Sequence, residues 1–156
     1  FRNVKDEQIK AVAKNGGVIC INFYSGFISK EYDQRQSYLN KIARDSAFRS
    51  YLAATNGDSV AAKAKWELYY DAEMHKVRPS LAQLVDHIDH IVKLVGDDYV
   101  GIGSDFDGVS SLPIGLDDVS TYPKITEELL KRGYSGKSIK KILGGNVLRV
   151  MKANFK

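Results

Sequence analysis

The sequence predicts an α/β fold in which helices cover a parallel sheet. The first indication is residues 18–24 (VICINFY), a nearly continuous apolar run without the alternation of a half-exposed strand. The second is the segment that begins at Pro79 and ends at Val95, whose apolar residues recur at the period of a helix. A second apolar segment, residues 98–106, follows that helix. This order is typical of parallel α/β units, so we expect both strands to be buried on both faces.

The remaining elements are predicted from their end signals. A first helix is expected over residues 4–14, with Asn3 as its N-cap and the Asn-Gly-Gly of residues 15–17 as its end. Residues 30–78 are predicted to be a helical insertion, with helices over 37–54 and 59–74; a substrate lid is compatible with this interpretation but not demanded by it. Three short helices are expected after the second strand, near residues 126–132, 138–143 and 146–153.

The composition is that of an ordinary globular domain and excludes several classes of protein. Of the 156 residues, 44% are hydrophobic and 27% are charged. No apolar run approaches the roughly 20 residues of a membrane span, and a single cysteine, Cys20, excludes an internal disulfide framework. The net charge of +4 is modest and the basic residues are scattered, so nucleic acid is not an expected partner. Because the first residue is Phe1, we expect the sequence to belong to a longer chain.

Two carboxylates stand where the second strand ends, in residues 101–108 (GIGSDFDG). Ligands of parallel α/β proteins bind at the carboxyl ends of the strands, where a carboxylate can take up or deliver a proton. Each carboxylate also has a structural explanation, Asp105 as the cap of a turn and Asp107 as an Asx-turn onto Gly108. The residues leave both explanations open for Asp105 and favour the structural one for Asp107. The glycines lack the spacing of a phosphate loop.

Residues 86–90 (DHIDH) suggest a metal site, because His and Asp three residues apart share a face of a helix. On a helical wheel, however, His90 lies nearly opposite the apolar stripe and His87 flanks it. Solvated or hydrogen-bonded histidines on the helix flank are therefore the favoured interpretation. His75 stands among charged residues and is predicted to lie on the surface.

The end of the first strand carries aromatic side chains to the same edge of the sheet. Phe23 is predicted to pack in the core, whereas Tyr24 and Phe27 are as well explained by the wall of a pocket as by core packing. Cys20, in the middle of the apolar run, is predicted to be an inert buried thiol. Arg2 precedes the first helix, where it could bind a carboxylate, although an isolated Arg-Asn pair is a weak signal.

Several stretches together resemble the membrane dipeptidase family, also called renal dipeptidase or peptidase family M19. They occur in the family's order and cover nearly the whole chain outside residues 30–78. They are residues 2–4, 15–18 leading into 21–24, 86–91, 101–109, 113–120 and 143–150. Such a combination in one order is highly specific.

The resemblance implies a (β/α)₈ barrel of the TIM type, of which this sequence would form the C-terminal part, with the last two barrel strands and their helices. The insertion at residues 30–78 would then lie over the barrel rim. The family has a binuclear zinc site that hydrolyses dipeptides, including ones with a D-residue at the C-terminal position. Its zinc ligands, an H-x-D pair, a bridging Glu and two later His, would all lie upstream of Phe1, so no metal ligand is expected in this segment.

The resemblance also assigns roles to residues of this sequence. Arg2 matches the arginine that binds the terminal carboxylate of the substrate. Asp105 matches the acid that contacts the substrate amine and shuttles the proton. Phe27, which we place in the substrate pocket, stands where the mammalian enzymes have a tyrosine and lacks its hydroxyl group.

The function that the resemblance implies is zinc-dependent hydrolysis of dipeptides, for which this chain would supply Arg2 and Asp105. The alternative is a catalytically inactive barrel fragment that acts as a binding or assembly module. The expected partners are a dipeptide substrate and the rest of the barrel, with a homodimer left open. Family analogy favours a periplasmic or otherwise extracytoplasmic location.

Overall fold

A computed structural model describes residues 3–155, with residues 44 and 45 described by their backbone alone. These residues form two compact units, one of residues 29–78 and the other of the residues before and after them. In chain order the elements are α1 (Asp6–Lys14), β1 (Ile19–Asn22), α2 (Ser25–Ile28), α3 (Lys30–Ile42), a π-helical turn (Ala43–Ala47), α4 (Phe48–Ala54), α5 (Ser59–Lys76), α6 (Leu81–Val95), β2 (Val100–Ser104), a 3₁₀ turn (Val119–Thr121), α7 (Tyr122–Lys131), α8 (Gly136–Lys140), a second π-helical turn (Lys141–Gly145) and α9 (Asn146–Asn154).

The two strands pair in parallel, as the sequence predicts. Ile19 lies opposite Val100, and a bulge after Ile21 places Asn22 opposite Ser104. Both strands are shorter than the apolar runs that predicted them, because those runs continue into the turns at either end. Since the strands are parallel, their carboxyl ends lie at the same edge of the sheet.

Helix α6, the connection between the strands, confirms the amphipathic pattern of the sequence. It begins at Leu81 rather than at Pro79, because Ser80 caps it: Ser80 Oγ accepts from Gln83 N at 3.2 Å, and Gln83 Oε1 accepts from Ser80 N at 2.8 Å. Its end is Gly96, whose φ of 96° a residue with a side chain rarely adopts. The side chains that it buries share one face of the helix; they are Leu84, Val85, Ile88 and Ile91.

Helices cover one face of the sheet. Ile21 and Val100 are buried in the core with α6 and α7, and Ile19 and Ile102 pack against the same cluster. Successive residues of a strand point to opposite faces, so Cys20 belongs to the other face. There Cys20 is exposed, so the prediction of an inert buried thiol is wrong. The prediction of strands buried on both faces fails at Cys20 and Gly103, although Gly101 is buried. Partial burial nevertheless raises the pKa of the Cys20 thiol.

The first helix begins two residues later than predicted. Lys5 is its N-cap, and the Gln8 side chain accepts from Lys5 N at 2.8 Å. Asn3, the predicted cap, instead donates from Nδ2 to the carbonyl oxygen of Phe27 at 2.8 Å. A side chain that bonds to a residue distant in sequence is not available to cap its own helix.

The C-terminal helices anchor the amino-terminal ends of the strands. Asn146 is buried, and its Nδ2 donates to Asp97 O at 2.7 Å and to Val100 O at 2.8 Å. The Arg149 guanidinium donates to three main-chain carbonyls, those of Gly16, Gly17 and Asp98. Helix α7 begins earlier than predicted, at Tyr122, since proline is tolerated in the first turn of a helix.

The unit of residues 29–78 is helical throughout most of its length. Helix α3 begins at Lys30, seven residues before the predicted start at Ser37, because Ser29 Oγ accepts from Tyr32 N and caps it. Asp58 caps α5 in the same way. Within the unit, Arg35 Nη1 lies 3.2 Å from Glu73 Oε2. The expected position of this unit over a barrel rim stays a prediction.

Candidate active site

The parallel strands bring one amide and one carboxylate together where they end. Asn22 is the last residue of β1, and Asp105 directly follows the last residue of β2. Asn22 Nδ2 donates to Asp105 Oδ2 at 2.9 Å, and Asn22 Oδ1 accepts from Tyr24 N at 2.7 Å. The carboxylate that the sequence singles out is therefore held by a hydrogen bond from the neighbouring strand.

The backbone that presents this carboxylate is strained. Ser104 and Asp105 have φ values of 34° and 71°, in the region that glycine favours. Such residues cost on the order of 1–3 kcal/mol each and cluster at functional sites, where the surrounding structure holds them in place. The strained residues are Ser104 and Asp105. The strain and the sequence pattern therefore single out the same residue, Asp105.

Gly108 leaves room for this conformation. A Cβ atom at Gly108 would lie 2.1 Å from Asp105 Oδ1, so any side chain there would displace the carboxylate. The turn is closed by Gly108 N, which donates to the main-chain oxygen of Asp105 at 3.1 Å. This differs from the predicted Asx-turn of Asp107, whose side chain is exposed. Both carboxylates are exposed, and they differ in that Asp105 accepts a hydrogen bond from Asn22 and lies on backbone of positive φ.

The residues around Asp105 are anchored in the core. Phe106 packs against Phe23 and Tyr122, with ring centroids 5.8 and 5.7 Å apart, and Phe23 contacts Tyr122 at 6.1 Å. Phe23 is fully buried, which confirms its predicted place in the core. Further along, Ser25 N donates to Ser111 O at 3.0 Å and joins the segments that follow the two strands. The loop after β2 is therefore fixed at two points, Phe106 and Ser111, that follow the strained residues in the chain.

A cavity of about 310 Å³ lies along β1, and its walls come from α1, α2 and α6 as well. Phe27 and Asn22 both line it, as does Asn3. The Phe27 ring meets that of Tyr24 edge to face, with centroids 5.0 Å apart. Phe27 thus lines a pocket, while its role toward a substrate stays a prediction. Arg2, the predicted ligand of the substrate carboxylate, lies outside the described residues.

The histidines of residues 86–90 form hydrogen bonds on the flanks of α6. His87 Nε2 lies 3.1 Å from the carbonyl oxygen of Ile28, and His90 Nε2 lies 2.8 Å from Asp6 Oδ1. These contacts agree with the favoured interpretation of the sequence. Among residues 3–155, apart from the side chains of 44 and 45, no three His, Cys, Asp or Glu side chains are grouped to hold a metal ion. Where the metal ligands lie stays a prediction.

The aspartates of the same segment bind an arginine. Arg132 Nη1 donates to Asp86 Oδ1 and to Asp89 Oδ2, each at 2.7 Å, and Arg132 Nε donates to Glu128 at 3.0 Å. Burial alone would lower the pKa of Arg132, but these hydrogen bonds outweigh it and raise that pKa. Tyr134 donates to Asp89 Oδ1 at 2.6 Å. This network joins α6 to α7 and contributes to the fold.

Residues 1–155 match the sequence profile of one family, described as membrane dipeptidase (peptidase family M19). The chain belongs to the membrane dipeptidase family. The resemblance that the sequence motifs carry is thereby confirmed. The match extends through the segments of both strands and through residues 30–78.

Two curated fungal relatives are dipeptidases by name. Dipeptidase verJ of Clonostachys rogersoniana is 55% identical over 73 residues, which are 47% of this chain and 19% of that protein. Dipeptidase ataJ of Aspergillus terreus is 35% identical over 151 residues, which are 97% of this chain and 26% of that protein. The chain therefore spans about a fifth to a quarter of the length of these relatives.

Solved structures of the family share the fold. The probable dipeptidase PvdM from Pseudomonas aeruginosa matches with a TM-score of 0.62 and 29% identity, over 95% of this chain and 40% of that one. A metallopeptidase from Rhodobacter sphaeroides, liganded with a phosphinate mimic of the dipeptide L-Ala-D-Ala, matches with a TM-score of 0.63 and 21% identity, over 97% and 31%. The α/β fold, mostly helical with a small sheet, is thus that of M19 dipeptidases. No described helix is long and apolar enough to cross a membrane.

Proposed function

We propose that the complete protein is a zinc-dependent dipeptidase to which this chain contributes the C-terminal part of the active site. The observation that carries the proposal is Asp105, a carboxylate held by Asn22 on strained backbone at the carboxyl edge of the sheet, in a member of a dipeptidase family. That edge is where parallel α/β folds bind their ligands.

Asp105 is the proposed acid–base group. With Oδ2 bonded to Asn22, the carboxylate has a fixed direction, and a fixed carboxylate can accept a proton and return it to a leaving amine. The same negative charge would attract the amino group of a dipeptide. Asp107 lies two residues beyond Asp105, outside the pair of positive φ values, and takes no part in the proposal.

Two further residues are proposed to bind the substrate. The guanidinium of Arg2 would form two parallel hydrogen bonds with the terminal carboxylate of a dipeptide. Phe27 would contribute an apolar wall, since it lines the cavity along β1. Asn3, which follows Arg2 in the chain, bonds to the carbonyl oxygen of Phe27, and this contact places the start of the described chain beside that cavity.

The described residues do not themselves fit a binuclear zinc site, because no group of three ligand side chains occurs among them. The proposal therefore assigns the metal ligands to the chain upstream of Phe1 and assigns no reaction step in this segment to the metal. Bound there, two zinc ions would supply a Lewis acid and an activated water molecule.

The two strands are proposed to be the last two of a (β/α)₈ barrel, with residues 30–78 over its rim. The parallel pair supports this, as does the exposure of Cys20 and Gly103 on one face of the sheet. The length of the relatives supports it as well, since they extend far beyond this chain. An extracytoplasmic location remains a proposal by family analogy, and a homodimer remains open.

The test uses the full-length protein purified with its metal. We expect about two zinc ions per chain and turnover of dipeptides, with C-terminally amidated dipeptides as poor substrates. Arg2→Lys should weaken dipeptide binding, because the ammonium group of lysine cannot replace the bidentate contact of a guanidinium with a carboxylate. The alternative, an inactive barrel that acts as a binding or assembly module, predicts no turnover of any dipeptide. Equal turnover of free and amidated dipeptides would leave Arg2 as a structural residue only.

A further inference from the structure

Asn22 is bonded at both ends of its amide. Its Nδ2 donates to Asp105 Oδ2 at 2.9 Å, and its Oδ1 accepts from Tyr24 N at 2.7 Å. Because the amide both donates and accepts a hydrogen bond, its orientation is set, and one of its two N–H groups is directed at one place. That place is the oxygen of the proposed catalytic carboxylate.

Two irregularities of the backbone converge on this contact. On β1, a bulge lies between Ile21 and Asn22, and a bulge re-aims the side chain beside it. On β2, Ser104 and Asp105 have positive φ values. Each irregularity costs free energy in its own strand. The bulge lies beside Asn22, and the positive φ values include that of Asp105. Both irregularities therefore occur at the two residues that the hydrogen bond joins.

We propose that Asn22 is a positioning residue for dipeptide hydrolysis, which fixes the direction of the Asp105 carboxylate and acts on the reaction only through it. The inference rests on the proposed function. It assigns the asparagine at the end of the first strand to the active site, whereas from the sequence it is one residue of an apolar run.

The two contacts require a side chain that donates to Asp105 and accepts from Tyr24 N, as the asparagine amide does. An ionised aspartate has the same shape and can still accept from Tyr24 N, but it has no donor for Asp105 and adds a second negative charge beside it. An alanine loses both hydrogen bonds. The two variants therefore separate the bond to Asp105 from the bond that orders the strand end.

The experiment uses the full-length, metal-loaded protein with Asn22→Asp and Asn22→Ala, each made alone and together with Asp105→Asn. With Asp105 present, both variants should lower kcat by about 10- to 100-fold, the usual effect of removing a partner that orients an active-site group or of misplacing it by an ångström. KM should change little. With Asp105→Asn in place, adding either variant should change kcat less than about twofold, because the group it positions is already gone.

Asn154→Ala is the matched control. Asn154 also donates its amide to one acceptor, Val150 O at 2.8 Å, but it lies at the exposed end of α9. We expect its kcat and Tm to equal those of the unmutated protein. An equal fall of kcat in both Asp105 backgrounds would overturn the inference, because Asn22 would then act independently of Asp105. Unchanged kcat in a folded Asn22→Asp protein would overturn it as well.

A structural measurement separates this inference from the proposed function. If the unmutated protein hydrolyses no dipeptide, the proposed function fails, and a crystal structure of Asn22→Asp decides whether Asn22 positions Asp105. The positioning is supported if the Asp105 carboxylate turns away from residue 22, and it is overturned if the carboxylate keeps its place.

Discussion

The two faces of the sheet differ although they belong to the same two strands. On one face the β-branched residues of β1 and β2, among them Ile21 and Val100, pack under α6 and α7. On the other face stand Cys20, Asn22 and two glycines of β2; α9 packs against this face at Gly101 through Val147, whereas Cys20 and Gly103 are exposed. The side chains of the first face are uniformly apolar, whereas the residues of the second face are small or polar and partly exposed.

The difference separates what stabilises the unit from what could act on a substrate. The covered face buries apolar area, which stabilises the fold without regard to the detail of each contact. The open face contains the irregular features: the bulge at Asn22, the positive φ values and the held carboxylate. Substitutions on the covered face should therefore change stability, and substitutions at the end of the open face should change the reaction.

The largest expected effect is on the covered face. Ile88 of α6 is completely buried, and Ile88→Ala should lower the free energy of unfolding by about 2–5 kcal/mol through lost burial and the cavity that remains. Chemical denaturation of the full-length protein measures this loss. The kcat per folded molecule should stay within about twofold. A large fall of kcat without loss of stability would contradict the separation of the two faces.

The next effect concerns the end of the open face. Gly108→Ala should lower kcat by roughly 100-fold, because the new Cβ would meet Asp105 Oδ1 at 2.1 Å and displace the carboxylate. Gly136→Ala is the matched control, since a Cβ at Gly136 meets nothing within 4 Å. Steady-state kinetics of both variants check the prediction. A Gly108→Ala protein as active as the control would show that the placement of Asp105 does not matter.

A smaller effect is expected at the opposite edge of the sheet. Hydrogen bonds from Ser138 and from Lys141 hold the pKa of Asp97 below its ordinary value. The stability that this gives is present above the pKa of the unfolded chain and is lost as the pH falls through the lowered pKa. Asp97→Asn should thus cost about 1 kcal/mol near neutral pH and nothing in strong acid. Denaturation curves from about pH 7 to about pH 2 test this. A cost that stays constant with pH would exclude the charge as its origin.

The smallest expected effect is on the alkylation of Cys20, which tests whether the open face is covered in the complete protein. Cys20 is exposed in this chain, and burial that is only partial raises the pKa of its thiol. If the rest of a barrel lies over this face, Cys20 of the native full-length protein should resist alkylation and react once the protein is unfolded. Mass spectrometry of the labelled peptide is the measurement. Rapid labelling of the native protein would contradict barrel closure over this face.

Much of the fold follows from the sequence because burial leaves a periodic pattern. The amphipathic segment predicts α6, and the two apolar runs predict β1 and β2 and their parallel order. The ends of the helices and strands were less predictable. Asn3 fits an N-cap, but its side chain bonds to the carbonyl oxygen of Phe27. A local pattern cannot indicate a partner that is distant along the chain. For the same reason the exposure of Cys20 was missed, since an apolar run does not show which face a neighbour covers.

The site follows from the sequence only in part. Asp105 stands out because it ends a strand, and the spacing favours a structural role for Asp107, but it leaves a structural role open for Asp105 as well. The structure distinguishes them through the hydrogen bond to Asn22 and the positive φ values. Asn22 itself was missed as a functional residue. The available signal was its position at the end of a parallel strand, where a short polar side chain follows apolar ones and meets the end of the next strand.

The most direct measurement compares the two carboxylates in the full-length protein. Asp105→Asn and Asp107→Asn are each purified, and their zinc content, Tm and dipeptide kcat are determined. We predict that Asp105→Asn keeps its zinc and its Tm and loses roughly 10²–10⁴-fold in kcat, the usual contribution of a positioned acid–base group. Asp107→Asn, a change at an exposed residue without the expected Asx-turn, should leave zinc content, Tm and kcat nearly unchanged. Normal turnover by Asp105→Asn, or loss of its zinc, would contradict the role assigned to Asp105.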